Sequence, residues 1–329
     1  MQQTLIVGVD VSKSTLDICF KPSGLPAQIS NDITGFKQWH KQLKQLCSGG
    51  QAVMVVMEHT GHYSFRFEKF LRSRGIAYCK VPALQIRRSI GITRGKTDKV
   101  DAARIADYGW MRRDILLADA EVKEEIRELD LLISLRQKIV KDRSGYKSRI
   151  KAMKVTGVCD SNSLLIRAQQ DIIKVLDKKI KDVEAQIKVL ISSNARLSET
   201  VRLLRSIKGV GLIVAAYMIS CTQNFTRFNN FRKFNCYAGL APFKHESGSS
   251  IKGRSRVSHL ANKKAKTLLN LAACCCIQHD PEMKQYYQKR VAEGKKKMSC
   301  LNIIRSKIVS RMFAVIKRQS PYQPLPIAA

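Results

Sequence analysis

A chain of 329 residues can bury one large core or two to three smaller ones, and it needs neither disulfides nor a structural metal to fold. Its formal charge of +33 is unevenly spread: Lys and Arg stand 16 to 8 against Asp and Glu over residues 1–110, 19 to 14 over 111–200, and 24 to 4 over 201–329. Such a field holds a polyanion by counterion release, which points to nucleic acid. No apolar run of about 18 residues and no signal-peptide pattern speaks for a membrane, so no membrane partner is expected. The ten cysteines contain no CxxC pair, which argues against zinc-binding folds and fits a reducing cytoplasm.

The segment TLIVGVDVSKSTLDICF reads as a strand that ends at Asp10, a tight turn at VSKS and an antiparallel return strand. From Asn31, DITGFKQWHKQL reads as a helix, and AVMVVMEHTG as a buried strand that terminates at Glu58. HYSFRFEKFLRSRG is a second helix and IAYCKVP a third strand, stopped by Pro82. These units predict an α/β layer domain with a mixed sheet. ALQIRRSIGITR reads as a basic loop and KTDKVDAARIADYG as a helix capped by Thr97. Asp98 and Asp101 then share a face in its first turn, where the helix field favours carboxylates. Asp17 reads as a surface charge, and Asp107 lies off that face.

Residues 120–200 hold two glycines, Gly145 and Gly157, and no proline. Ile173, Leu176, Ile180, Val183, Ile187 and Leu190 alternate spacings of three and four, an a/d seam. Ile126, Leu129, Ile133 and Ile139 suggest a partner helix, so the region is an antiparallel hairpin or a dimerising coiled coil. VRLLRSIKGVGLIVAAYMIS follows with a helix-hairpin-helix pattern: amides at Gly209 and Gly211 could hold a phosphate, while the plain reading is a tightly packed corner. Phe225, Phe228, Phe231 and Phe234 recur every three residues and read as core. ESGSSIKGRSR reads as a flexible basic loop carrying Lys252, Arg254 and Arg256. A second basic loop holds Lys295, Lys296 and Lys297, and PYQPLPIAA an extended tail. The divisions expected are 1–115, 116–200, 201–320 and 321–329.

Asp10, Glu58, Asp98 and Asp101 supply four hard oxygen ligands that can converge at one sheet edge. Unneutralised they would repel one another; two Mg²⁺ ions, with Mn²⁺ able to substitute, remove that penalty and suit phosphodiester chemistry. Arg87, Arg88, Arg94 and Lys96 are candidate phosphate contacts. No base adjoins Ser247, so the residues alone favour phosphate hydrogen bonding there.

GVDVSKSTLD, MEHTG, KTDKVDAARIA, GVG, YAGLAP and ESGSSIKGRSR, in that order along nearly the whole chain, resemble the signatures of DEDD-type insertion-sequence transposases. These are bridge-RNA-guided recombinases whose relatives include Piv-type DNA invertases. The resemblance implies an RNase H-like (RuvC-like) α/β first domain with Asp10, Glu58, Asp98 and Asp101 as its tetrad. It implies a coiled-coil assembly region and a mainly α-helical transposase domain, with Ser247 as a nucleophile forming a 5′-phosphoserine linkage. It also implies double-stranded target and donor DNA, a structured noncoding guide RNA and a homotetramer in a bacterial or archaeal cytoplasm, at the nucleoid. Two alternatives remain beside it. One is a Mg²⁺-dependent structure-specific nuclease, such as a Holliday-junction resolvase, in which water attacks; the other is a non-enzymatic nucleic-acid-binding scaffold.

Overall fold

The computed structural model describes residues 4–47, 51–59, 61–91, 97–158, 160, 163–247 and 251–323, in two compact units, 1–121 and 122–329. The first unit is built on a five-stranded mixed sheet. Strands β1 (Leu5–Val11), β2 (Thr15–Lys21) and β3 (Pro26–Ser30) form an antiparallel meander, and β4 (Val53–Glu58) and β5 (Ala77–Val81) run parallel to β1, in the order β3-β2-β1-β4-β5. Parallel neighbours need crossover helices. These are α1 (Ile33–Leu46), whose N-cap Asp32 accepts from the amides of Thr34 and Gly35, and α2 (Phe65–Ser73).

Period-two alternation divides the strands between two cores. Val7, Val9, Leu16, Ile18, Val55 and Met57 pack with Phe36, Trp39 and Phe67 of the crossover helices. Ile6 and Val56 point the other way, toward α3 (Ala83–Ile90) and α4 (Asp98–Met111), where Ile86, Ile105 and Tyr108 close the second core. This is the mixed-sheet, RNase H-like arrangement that the sequence predicts. Two elements differ from the sequence reading. β3 escapes notice because it is an edge strand that opens on a proline and buries only Ile29. The basic loop after Pro82 is instead the helix α3, of which Ile86 is buried while Arg87 and Arg88 face solvent.

The second unit is largely helical. Helices α5 (Glu124–Thr156) and α6 (Leu164–Ser192) are about 50 and 43 Å long at 1.5 Å per residue. They pair antiparallel within the chain: Val183 and Ile187 share a core with Leu129 and Ile133. Arg136–Glu184 (2.7 Å) and Arg143–Asp177 (2.5 Å) bridge the two helices. The seam is therefore satisfied internally. Next come α7 (Ala195–Arg205), α8 (Leu212–Thr222) and α9 (Phe231–Tyr237). A two-stranded antiparallel hairpin, β6 (Pro242–Ser247) and β7 (Ile251–Val257), stands where a loop was expected. Three helices complete the unit, α10 (Lys263–His279), α11 (Pro281–Ala292) and α12 (Lys297–Arg318). Ala215 and Ala216 of α8, Ala272 and Ala273 of α10 and Ile304 and Ile308 of α12 are fully buried, so small residues let the helices approach closely. Among the described residues, no helix is long and apolar enough to cross a membrane.

Candidate active site

The first unit brings its acidic residues together through a close helix-on-strand contact. A Cβ on Gly8 would stand 2.3 Å from the Ala106 amide nitrogen and 2.6 Å from the Ala102 carbonyl oxygen. One on Gly109 would stand 2.7 Å from a methyl of Ile6. Glycine at both positions lets α4 lie directly on β1. With Ala102 and Ala106 over Gly8 and Gly109 over Ile6, the first turn of α4 points to the next residue of β1 on that face, Asp10. Asp98 and Asp101 occupy that turn, capped by Thr97 Oγ1, which accepts from the Val100 amide at 3.3 Å.

Glu58 arrives by register. The β1–β4 pairing runs through Val9–Met57, so Asp10 and Glu58 are the next residues of adjacent parallel strands. Asp10 is held up at about 6, by burial first and then by the charges of Asp101, Glu58 and Asp98. The four carboxylates thus share one electrostatic environment, and among the described residues no lysine or arginine is a main influence on Asp10.

The same unit neutralises a buried carboxylate elsewhere. Glu68 accepts from Ser64 Oγ at 2.7 Å and Lys80 Nζ at 3.0 Å. At Asp10 the field is left for a cation, and carboxylate oxygens are the donors that a hard divalent ion takes. The donors fit in type and placement, but they do not form a ready cage. Among the described residues no three Asp, Glu, His or Cys groups are close enough to hold an ion, and Asp101 is drawn to Arg104 at 2.9 Å. Unneutralised carboxylates repel one another, and Asp101 takes a neighbouring cation.

Sequence reasoning misplaced one carboxylate. Asp17 is not a surface charge: it is 2 % exposed, lies across from Asp10 in the β1–β2 register and accepts from Gln28 Nε2 at 3.0 Å. Counting the hairpin outward from VSKS would have paired the two. Asp107 lies off the cluster in an ion pair with Lys21 at 2.6 Å.

The predicted phosphate contacts are scattered. Arg87 and Arg88 are exposed on α3, and Arg88 lines a groove of about 290 Å³ with Ser89 and Arg112. Arg94 and Lys96 lie outside the described residues. Gly209 (φ 86°) is pressed against α10, where a Cβ would meet the Ala272 carbonyl at 2.4 Å; this is the packing role of a tight corner. Gly211 caps α8 with open space at its Cα. Arg254 and Arg256 line a groove of about 620 Å³ with Phe243 and Lys244, and Lys252 pairs through its backbone with Glu246. Lys295, Lys296 and Lys297 are exposed at the start of α12. Ser247 closes β6, its backbone opposite Ile251.

A family model described as "Transposase", of the DEDD IS110 type, matches residues 7–155, and one described as "Transposase IS116/IS110/IS902 family" matches 201–288. A pilin gene-inverting protein of Moraxella bovis is 26 % identical over 96 % of this chain and 97 % of its own length. A transposase for insertion sequence element IS1111A of Coxiella burnetii is 20 % identical over 98 % and 92 %. A solved structure of T. thermophilus RuvC in complex with a Holliday junction substrate covers 36 % of this chain and 99 % of that one, at 9 % identity and a TM-score of 0.26.

These matches correct the reading of Ser247 as a nucleophile forming a phosphoserine linkage. The DEDD match falls on the carboxylate unit and points to metal-dependent nuclease chemistry. Physically that unit needs no protein hydroxyl, because metal-assisted displacement can use water. Glu246, the carboxylate beside Ser247, is itself within 4.0 Å of Lys244. The paired matches along the chain, with the carboxylate placement of the first unit, make this protein an IS110/IS902-family DEDD transposase related to Piv-type invertases.

Proposed function

We propose that the chain cuts DNA strands for transposition with Asp10, Glu58, Asp98 and Asp101 as the ligands of Mg²⁺. The raised Asp10, beside the three like charges of Asp101, Glu58 and Asp98, carries this reading. When bound, the metal supplies Lewis acidity to the attacking and leaving oxygens of the phosphodiester. Asp10 and Glu58, on adjacent strand ends, are the half-buried and rigid part of the ligand set. Asp98, exposed on the first turn of α4, is the ligand nearest solvent and therefore nearest the DNA. Arg104 pairs with Asp101 until a cation competes for it.

The test is cleavage of branched and supercoiled DNA with Mg²⁺ or Mn²⁺. Asp10→Asn and Glu58→Gln should each lower it about 10²–10³-fold or more; cleavage at the parent's rate in either variant, or in chelator, would overturn the reading.

The guide RNA and the tetramer extend the proposal. The ratio of 24 basic to 4 acidic residues over 201–329 offers charge for a second polyanion besides DNA. Exposed Leu131, Leu135, Val175 and Val189 on α5 and α6 offer apolar surface for assembly. A ribonuclease-sensitive species of reproducible length should co-purify, and light scattering should give four times the chain mass.

A further inference from the structure

The second unit carries an aromatic groove that carboxylate chemistry leaves unused. Phe225, Phe228 and Phe231 meet Phe313 and Lys317 of α12 around a space of about 400 Å³. Of the four regularly spaced phenylalanines that read as core, only Phe234 is fully buried; the other three are half-exposed. Phe234 anchors the wall, with Phe228 edge-on at 5.4 Å and Phe313 at 6.0 Å, and Phe225 stands edge-on to Phe313 at 5.0 Å. Phe231 lines the groove without an aromatic neighbour among the described residues.

The turn that presents Phe225 is strained. Gln223, Asn224 and Phe225 are consecutive non-glycine residues with φ of 51°, 55° and 63°. Side chains other than glycine's rarely hold this conformation, and a bulky one is a clear outlier. Thr222 enforces it: its buried hydroxyl donates to the Met218 carbonyl at 2.6 Å and accepts from the Phe225 amide at 2.9 Å. Strain maintained this firmly is characteristic of binding surfaces.

The rim is cationic. Arg227 lies over the Phe228 ring at 5.4 Å, Arg232 over Phe231 at 5.9 Å, and Lys317 lines the groove, whereas no carboxylate among the described residues does. The exposed Asn229 amide, also in the lining, has no partner among the described residues. Flat aromatic faces, a free amide and surrounding positive charge suit a planar heterocycle on an anionic backbone. An apolar peptide would find no use for the cations.

We infer that this groove stacks an unpaired nucleobase of a single-stranded segment, with Arg227, Arg232 and Lys317 on the flanking phosphates. The site does not depend on the carboxylates of the first unit, so it can be tested without metal and without cleavage.

The full chain in chelator is titrated with three probes carrying one central 2-aminopurine: single-stranded DNA, single-stranded RNA and a fully paired duplex. Single strands should be quenched on binding and the duplex should not; the two single-stranded arms decide whether DNA or RNA supplies the base. Phe231→Ala should abolish the quench and weaken single-strand binding about tenfold, with duplex affinity unchanged. Phe231→Trp should retain both, which separates stacking from misfolding. Three outcomes overturn the inference. Quenching unchanged in Phe231→Ala means that the groove does not take the base. Equal losses on duplex and single strand mean general electrostatics. A Phe231→Leu variant that binds and quenches like the parent means an apolar groove for a peptide or for a second copy of this chain.

Discussion

Buried charge is handled in opposite ways in the two units. In the helical unit Asp280, at the N-terminus of α11, is matched by Arg311 at 2.8 Å, and the same guanidinium reaches Glu282 at 2.6 Å. At the sheet edge of the first unit the charges that act on Asp10 most among the described residues are other carboxylates, those of Asp101, Glu58 and Asp98. A matched charge fixes a helix junction; an unmatched cluster costs stability, so its persistence marks a function. The contrast holds within the first unit too, where Glu68 has Lys80.

Asp10→Asn gives the largest expected effect. Metal-dependent strand cutting should fall about 10²–10³-fold or more, on the scale of removing one electrostatic stabiliser of a transition state. In chelator the same substitution should raise the melting temperature, because it removes a repelled charge. A variant that loses both activity and stability would mean that Asp10 is matched after all.

Gly8→Val probes how the cluster is assembled. A side chain at 2.3 Å from a backbone nitrogen must push α4 off β1, at a cost of about 3 kcal/mol or more. Mg²⁺ should then no longer raise the melting temperature, because Asp98 and Asp101 move with the helix. A Gly8→Val chain that keeps its metal response would show that α4 does not place the ligands. On the matched side of the comparison, Asp280→Asn should destabilise the helical unit by roughly 2 kcal/mol, less than a fully orphaned partner because Glu282 still holds Arg311. Denaturant unfolding would measure it, and a stabilising result would erase the distinction between the two units.

Much of this was legible in the sequence because it rests on local pattern. LIVGV and VMVVM announce buried strands whose ends carry Asp10 and Glu58, and Thr97 before DKVD announces a capped helix. Properties that depend on partners were not legible. Asp17 resembles any strand carboxylate until the fold buries it, and the phenylalanines after α8 have a core spacing that does not reveal the left-handed turn at 223–225. The hairpin β6–β7 was read as a loop because its glycines, serines and basic residues suit a loop locally, whereas cross-strand pairing from Pro242–Val257 to Ser247–Ile251 orders it. The six-position seam could not tell an internal from an external partner; the Arg136–Glu184 and Arg143–Asp177 pairs select the internal one.

The smallest effect gives the most direct measure of the unmatched cluster. Burial and three neighbouring carboxylates hold Asp10 at about 6, against an ordinary 3.8. The folded chain therefore binds this proton more tightly than the unfolded chain does. Its contribution to stability is complete below the unfolded value and is lost as pH rises through 6. In chelator, the melting temperature of the parent should fall relative to Asp10→Asn between pH 4 and pH 6.5. The difference should be of order 1 kcal/mol once solvent screening at a half-buried group is allowed for. Mg²⁺ should reverse the sign, since a bound ion would take the deprotonated carboxylate: the melting-temperature gain should grow over the same window and level off above pH 7. A parent and variant that melt in parallel across that range, with a Mg²⁺ response independent of pH, would place the repelled charge on a residue other than Asp10.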